Sequence, residues 1–192
     1  FNVLNVLGAV ATVRALGVDD ATIAAALPEA GRVPGRVEPV DEGQAFAVLG
    51  DYAHPPEALE NVRAEARGLA AGRLVCVFGC GGDRDRGKRP KMGAISARLA
   101  DHTIVTSDNP RSEDPEAIVA EILAGIEDRS ATEAIVDRHA AIERAVGTAQ
   151  PGDVVVVAGK GHEQGQEFEG GRKVPFDDVT VAREALRARL VA

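Results

Sequence analysis

Four short stretches collect the residues of this chain that could bind or transfer charge: DYAHPP from Asp51, GCGGDRDRGKRP from Gly79, SDNPRSEDP from Ser107 and GKGHEQG from Gly159. In the third, a rigid proline holds an aspartate, an asparagine and an arginine together as Asp108-Asn109-Pro110-Arg111. Asp-Asn and Asn-Pro are ordinary turn formers, and a turn has no need of the arginine. The tetrapeptide is therefore either a turn between a strand and a helix or a small clamp for a ligand carrying both signs of charge. The second stretch has four arginines or lysines between Arg84 and Arg89, bracketed by Asp83 and Asp85. It reads either as a solvated basic loop or as a source of an oriented arginine for a carboxylate or phosphate.

Three familiar motifs are approached and missed. Gly82 to Lys88 reads G-x-x-x-x-G-K, but Arg89 stands where a phosphate-binding loop needs Ser or Thr for magnesium. Gly79-Cys80-Gly81 starts a dinucleotide fingerprint that fails at Arg84, the position of its third glycine. His162-Glu163 lacks the second histidine of a zinc-binding H-E-x-x-H helix. Around it the glycines suggest backbone brought close to a ligand, against the plainer reading of a turn with a surface glutamate. Asn2 and Asn5, at helical spacing, read on their own as polar residues of an exposed face.

The elements that must position these stretches alternate. Residues 1–28 read as helical, with Asp19 or Asp20 as N-cap of a second helix. PEAGRVPGRVEPV breaks that pattern and marks a boundary near residues 32 and 33. Strand-like QAFAVLGDY, RLVCVFG, HTIVTSD, EAIVD and DVVVVAG then alternate with amphipathic helices. The first of these helices places Leu59, Val62, Ala66 and Leu69 on one face, and the third places Ile118, Ile122 and Ile126 in register. VVVVA is continuously apolar, as a strand buried on both faces should be. FEGGRKV suggests a small hairpin, and FDDVTVAREALRARL a closing helix. The expectation is an α/β fold, a mostly parallel Rossmann-like sheet with helices on both faces. In such sheets ligands gather beyond the carboxyl ends of the strands, where all four charged stretches fall.

Bulk composition narrows the partners. The chain has 192 residues, 27% of them charged, with a net charge of −8, which disfavours a nucleic-acid surface but leaves room for a small anionic ligand. Cys76 and Cys80 are too few for a structural zinc site, and the four histidines lack ligand spacing, so no metal site is expected and the thiols read as reduced and cytosolic. No apolar run reaches membrane-spanning length. The first residue is Phe1, with no basic segment before an apolar one, so the sequence reads as cut from a longer chain and not as a signal peptide.

Taken in order, F-N-x-x-N, G-R-V-E-P, D-Y-A-H-x-P-x-A-L, F-G-C-G-G-D-R-D-x-G-K-R-P, S-D-N-P-R-x-E-D-P and A-G-K-G-H-E resemble the C-terminal part of the ATP-dependent Mur ligase family, over almost the whole chain. The resemblance implies that residues 1–32 are the helical end of a central ATPase domain and residues 33–192 a C-terminal amino-acid-binding domain. It implies an acid–amino-acid ligase of peptidoglycan synthesis that uses ATP and Mg2+ in the cytoplasm. D-N-P-R is the family's signature for adding meso-2,6-diaminopimelate to UDP-N-acetylmuramoyl-L-alanyl-D-glutamate. On that pattern Arg84, Asp108, Asn109, Pro110, Arg111, Gly159 and Glu163 bind diaminopimelate. Asn2, Asn5, Arg36, Asp51 and His54 bind ATP.

Diaminopimelate differs from lysine by a distal carboxylate, so a selective site needs an added cation. Arg111 supplies it, and an unpaired buried arginine would reject lysine. Asp108 and Glu163 take the ammonium. The phosphate-binding loop and the magnesium ligands are missing here, so these residues alone should not turn over ATP. Gly50 stands where a branched apolar residue is expected, which would loosen the strand end. The alternatives are a lysine-adding or folylpolyglutamate-type ligase and a non-catalytic amino-acid-binding module.

Overall fold

A computed structural model describes residues 2–31 and 33–191. The chain divides into two compact units, residues 1–33 and 34–192. The first is a pair of helices, α1 (Asn2–Ala15) and α2 (Asp20–Ala26). Asp19 caps α2 by accepting from the Thr22 N–H at 2.9 Å, which satisfies one of the donors a helix start leaves open. Val3, Leu4, Val6 and Leu7 of α1 are exposed.

The second unit contains β1 (Glu38–Pro39), β2 (Ala47–Asp51), α3 (Pro56–Leu69), β3 (Leu74–Phe78), α4 (Lys88–Leu99), β4 (His102–Val105) and α5 (Pro115–Leu123). It continues with β5 (Thr132–Ala134), α6 (Arg138–Thr148), β6 (Val154–Ala158), β7 (Gly165–Glu167), β8 (Lys173–Pro175) and α7 (Asp178–Val191). Six strands form one sheet in the order β1-β2-β6-β3-β4-β5, parallel except for β1, and β7 and β8 form a separate antiparallel pair.

Alternation along the strands builds two apolar layers. Val154, Val156 and Ala158 join Leu59, Val62, Met92, Ile118 and Ile122 on the face covered by α3, α4 and α5. Val155 and Val157 join Ala141, Ile142, Val146, Ala182 and Leu186 under α6 and α7. Each β6 residue is buried, so the run VVVVA is central because both faces are covered.

Local readings differ from the structure in four places. Leu69 ends α3 two-thirds exposed, and the buried position on that helix goes instead to Arg63, whose guanidinium donates to Ile95 O and Ser96 Oγ. The proline-rich stretch contains β1, which pairs Glu38 with Gly50. Gly50 does not loosen the strand end: β2 keeps register with β6 through Asp51, and a Cβ at Gly50 would come within 3.3 Å of Val179 Cγ2, which fills that space. The hairpin starts earlier than FEGGRKV suggests, with Phe168 to Arg172 as its connection.

Candidate functional site

The parallel topology brings the ends of β2, β3, β4 and β6 side by side, and each end continues into one of the four charged stretches. The loops after β3 and β4 pack main chain on main chain. The Gly82 N–H donates to Asn109 O at 2.8 Å, and a Cβ at Gly82 or Gly79 would stand 1.9 Å from Pro110 O or 2.4 Å from Thr106 O. These glycines are needed for that approach. Gly161 has a related role, because a Cβ there would lie 2.6 Å from Tyr52 Cβ and 2.8 Å from Gly35 O. Gly161, the second glycine of GKGHE, is therefore close to the protein's own chain. Gly159 adopts φ 123°, a conformation that favours glycine.

Asp108, Asn109 and Pro110 are buried, and the site is organised around a lysine that sequence reasoning passed over. Lys160, fully buried, donates from Nζ to Asn109 Oδ1 at 2.7 Å and to Gly165 O at 2.8 Å. The same ammonium lies 3.2 Å from Asp108 Oδ1 and 3.6 Å from Glu163 Oε2. Asp108 Oδ1 is buried and makes no hydrogen bond despite that proximity, so it keeps acceptor capacity. Asn109 is spoken for on both sides: its Nδ2 donates to Glu163 Oε2 at 2.9 Å, and its Oδ1 also accepts from the Glu167 N–H at 3.0 Å. Lys160 was visible in the sequence only as a letter of the A-G-K-G-H-E motif, two residues after a buried strand, and neither fact distinguishes it from a surface lysine.

Arg111 adopts φ 52°, a left-handed conformation uncommon for a side-chain-bearing residue. It is not an isolated cation. Its Nε donates to Glu167 Oε2 at 3.1 Å and its Nη1 to Gly82 O at 2.8 Å. A ligand without a carboxylate would therefore leave Arg111 paired with Glu167, and the expected penalty for lysine is reduced accordingly. Asn109, Arg111, Glu163, Glu167, Lys173 and Pro175 line a cleft of about 530 Å³. Arg84 is exposed; a Cβ at Gly81 would be 2.9 Å from Arg111 Nη1 and 3.8 Å from Arg84 Cγ, so the two arginines flank the same glycine.

Two further buried arginines brace the strand ends. Arg138 reaches from α6 to Ser107 O at 3.2 Å and Ala158 O at 3.0 Å, the carbonyls preceding Asp108 and Gly159, and pairs through two hydrogen bonds with Asp178. Burial opposes its charge, but the carboxylates of Asp178, Asp108 and Glu163 together hold its pKa above the ordinary arginine value. Arg89 pairs with Glu113 and Glu121 and donates to Gly81 O. Its two hydrogen bonds hold the Glu113 carboxyl down at about 2.

Of the residues expected on the nucleotide side, Arg36, Asp51 and His54 come together around Tyr52. Arg36 Cζ sits 5.1 Å from the Tyr52 ring centroid, and the His54 and His162 rings lie 4.6 Å and 5.4 Å from it. Asp51 is enclosed, its Oδ2 accepting from the Val37 N–H at 2.7 Å. Burial pushes its pKa up, against the pull of the Val37 and Ala53 amides and of Arg36. Its contact is thus with the turn that carries Arg36. Asn5 is exposed on α1, and the Asn2 side chain lies outside the described residues. Both cysteines are free and buried; burial raises both thiols, Cys80 to about 12, which removes them as nucleophiles. Among the described residues no group of three His, Cys, Asp or Glu could hold a metal ion. Among them, too, no helix is long and apolar enough to cross a membrane.

The sequence pattern of the family described as Mur ligase, glutamate ligase domain, matches residues 35–161. The chain belongs to the Mur ligase family. Among curated relatives, this Mur ligase chain is 50% identical over 192 residues to a UDP-N-acetylmuramoyl-L-alanyl-D-glutamate--2,6-diaminopimelate ligase of Syntrophomonas wolfei, covering 99% of the chain and 39% of that protein. A Thermosynechococcus vestitus protein of the same name is 53% identical, covering 99% of the chain and 38% of itself. A solved structure of a ligase so named matches 98% of the chain and 39% of its own length with a TM-score of 0.78 at 41% identity. This Mur ligase chain thus spans less than two-fifths of the relatives it matches.

Proposed function

We propose that the chain is the amino-acid-binding part of a cytoplasmic, ATP-dependent ligase that joins meso-2,6-diaminopimelate to UDP-N-acetylmuramoyl-L-alanyl-D-glutamate. Residues 1–32 are then the helical end of the central ATPase domain, with Asn2 and Asn5 as its nucleotide-side residues. One observation carries the choice of amino acid: the Arg111 guanidinium, with free N–H groups, and the Glu163 carboxylate line the same cleft, next to the Asp108 turn. That is the complement of a ligand end bearing an ammonium and a carboxylate.

ATP transfers its terminal phosphoryl group to the substrate carboxylate, giving an acyl phosphate and ADP. The amine of diaminopimelate then forms the C–N bond as the C–O bond to phosphate breaks. The part of this chain is to bind and orient. Asp108 and Glu163 receive the distal ammonium, and Arg111, flanked by Arg84, receives the carboxylate. Asn109, Pro110 and Gly159 keep the backbone in place. Arg36 and His54 face the nucleotide around Tyr52, with Asp51 holding the Arg36 turn. Mg2+, whose ligands would come from elsewhere in the complete ligase, neutralises phosphate charge.

The test is a chimera in which these residues replace the matching part of the Syntrophomonas wolfei relative. ADP release should depend on meso-diaminopimelate, with L-lysine poorer by roughly 100-fold. Equal use of the two amino acids would sink the assignment.

A further inference from the structure

We propose that Glu167 is a positioning residue: it aims the free edge of the Arg111 guanidinium into the cleft, ready for the ligand carboxylate. The proposal rests on the diaminopimelate reading above and adds a determinant outside the D-N-P-R turn.

Glu167 grips that turn at three points. Its carbonyl accepts from the Arg111 N–H at 3.0 Å, its N–H donates to Asn109 Oδ1 at 3.0 Å, and its carboxylate accepts from Arg111 Nε at 3.1 Å. The next residue, Phe168, forms a parallel bridge with Arg111. Hairpin and turn are thereby one unit, although 56 positions separate the paired side chains.

The geometry of the ion pair decides between positioning and competition. A carboxylate that competed with ligand would take two parallel N–H groups of the fork. Glu167 instead meets the side edge of Arg111, through Nε alone, while Gly82 O takes one of the two protons of Nη1. Among the hydrogen bonds of the described residues Nη2 makes none, so both N–H groups of Nη2 and one of Nη1 remain as donors. With Nε and Nη1 both fixed, the plane of the guanidinium is set before ligand arrives. The Arg111 side chain remains 20% exposed and that of Glu167 33%, and both line the cleft, so the guanidinium is within reach of a ligand there. Lys173 faces Glu167 across the hairpin and supplies it with no hydrogen bond among the described residues. Glu167 is therefore committed to Arg111.

The experiment compares Glu167→Ala and Glu167→Gln in the chimeric ligase. Glu167→Ala should raise KM for diaminopimelate roughly tenfold, leave KM for ATP and kcat within about twofold, and lower the preference over lysine by the same factor of roughly ten. Glu167→Gln, whose amide oxygen still accepts from Nε, should retain most of that preference. An Ala variant with unchanged KM and preference overturns the proposal, as does a Gln variant no better than Ala. A second measurement reads the positioning without ligand. The Arg111 Nε–H resonance of the chain should exchange slowly in the parent and in Glu167→Gln and fast in Glu167→Ala, and slow exchange in the Ala variant overturns the proposal. If the parent chimera takes lysine as readily as diaminopimelate, the functional reading fails, and the Nε–H exchange alone decides whether Glu167 orients Arg111.

Discussion

Lys160 Nζ donates to Asn109 Oδ1 across 2.7 Å and thereby ties the end of β6 to the turn that follows β4. The ammonium is fully buried, and its other neighbours are the carboxylates of Asp108 and Glu163 and the carbonyl of Gly165. One internal cation thus fixes the amide and both acidic groups of the proposed amino-acid site.

Lys160→Met should therefore cost stability beyond its volume change, because it takes the nearest cation away from the Asp108 and Glu163 carboxylates and the donor away from Asn109 Oδ1 and Gly165 O. The expected loss in urea denaturation is about 3–5 kcal/mol. Adding Asp108→Asn should restore part of it, whereas a loss below about 1 kcal/mol would show that Lys160 does not compensate that carboxylate.

Arg111→Lys keeps the charge and loses the fork. In the chimeric ligase the preference for diaminopimelate over lysine should fall by about 30-fold or more, since a single ammonium cannot replace two parallel N–H donors. Competition between the two amino acids reads this directly, and an unchanged product ratio would remove Arg111 from the specificity site.

Glu113 predicts an acid-sensitive term in stability. Its folded pKa is about 2 against an ordinary 4.5, held down chiefly by Arg89 and then by the Asp83 N–H. The unfolded chain therefore binds a proton more readily than the folded one between those values. This contribution is complete above 4.5 and is lost as pH falls towards 2. Glu113→Gln should be less stable than the parent at neutral pH, and the gap should narrow across that acid window. A gap independent of pH would mean that the carboxylate charge does not contribute.

Gly82→Ala places a methyl group 1.9 Å from Pro110 O, so the loops after β3 and β4 must separate. A loss of about 3 kcal/mol is expected from such an overpacked contact. Gly8→Ala, where nothing lies within 4 Å of the added Cβ, is the matched control and should be neutral or slightly stabilising by thermal denaturation.

The alternation of strands and helices was legible because it is a local property: apolar period and turn chemistry are carried by each segment by itself. So was the gathering of charged stretches at the carboxyl ends of the strands, which follows from a parallel sheet whatever the strand order. The chain by itself therefore determined the layers, the buried β6 and the D-N-P-R turn as a place for chemistry. It did not determine which side chains would meet there. Lys160 resembles any loop lysine until β6 is placed between β2 and β3, and Glu167 resembles any hairpin glutamate until β7 is laid against Arg111. Gly161, in a stretch that looked reserved for a ligand, is a point where one loop closes on another. These are contacts between residues far apart in the chain, 58 positions for Glu167 and Asn109, and their partners are chosen by strand order and loop packing. Hydrogen bonds and ion pairs act over about 3 Å, so only the assembled tertiary structure decides which of them form.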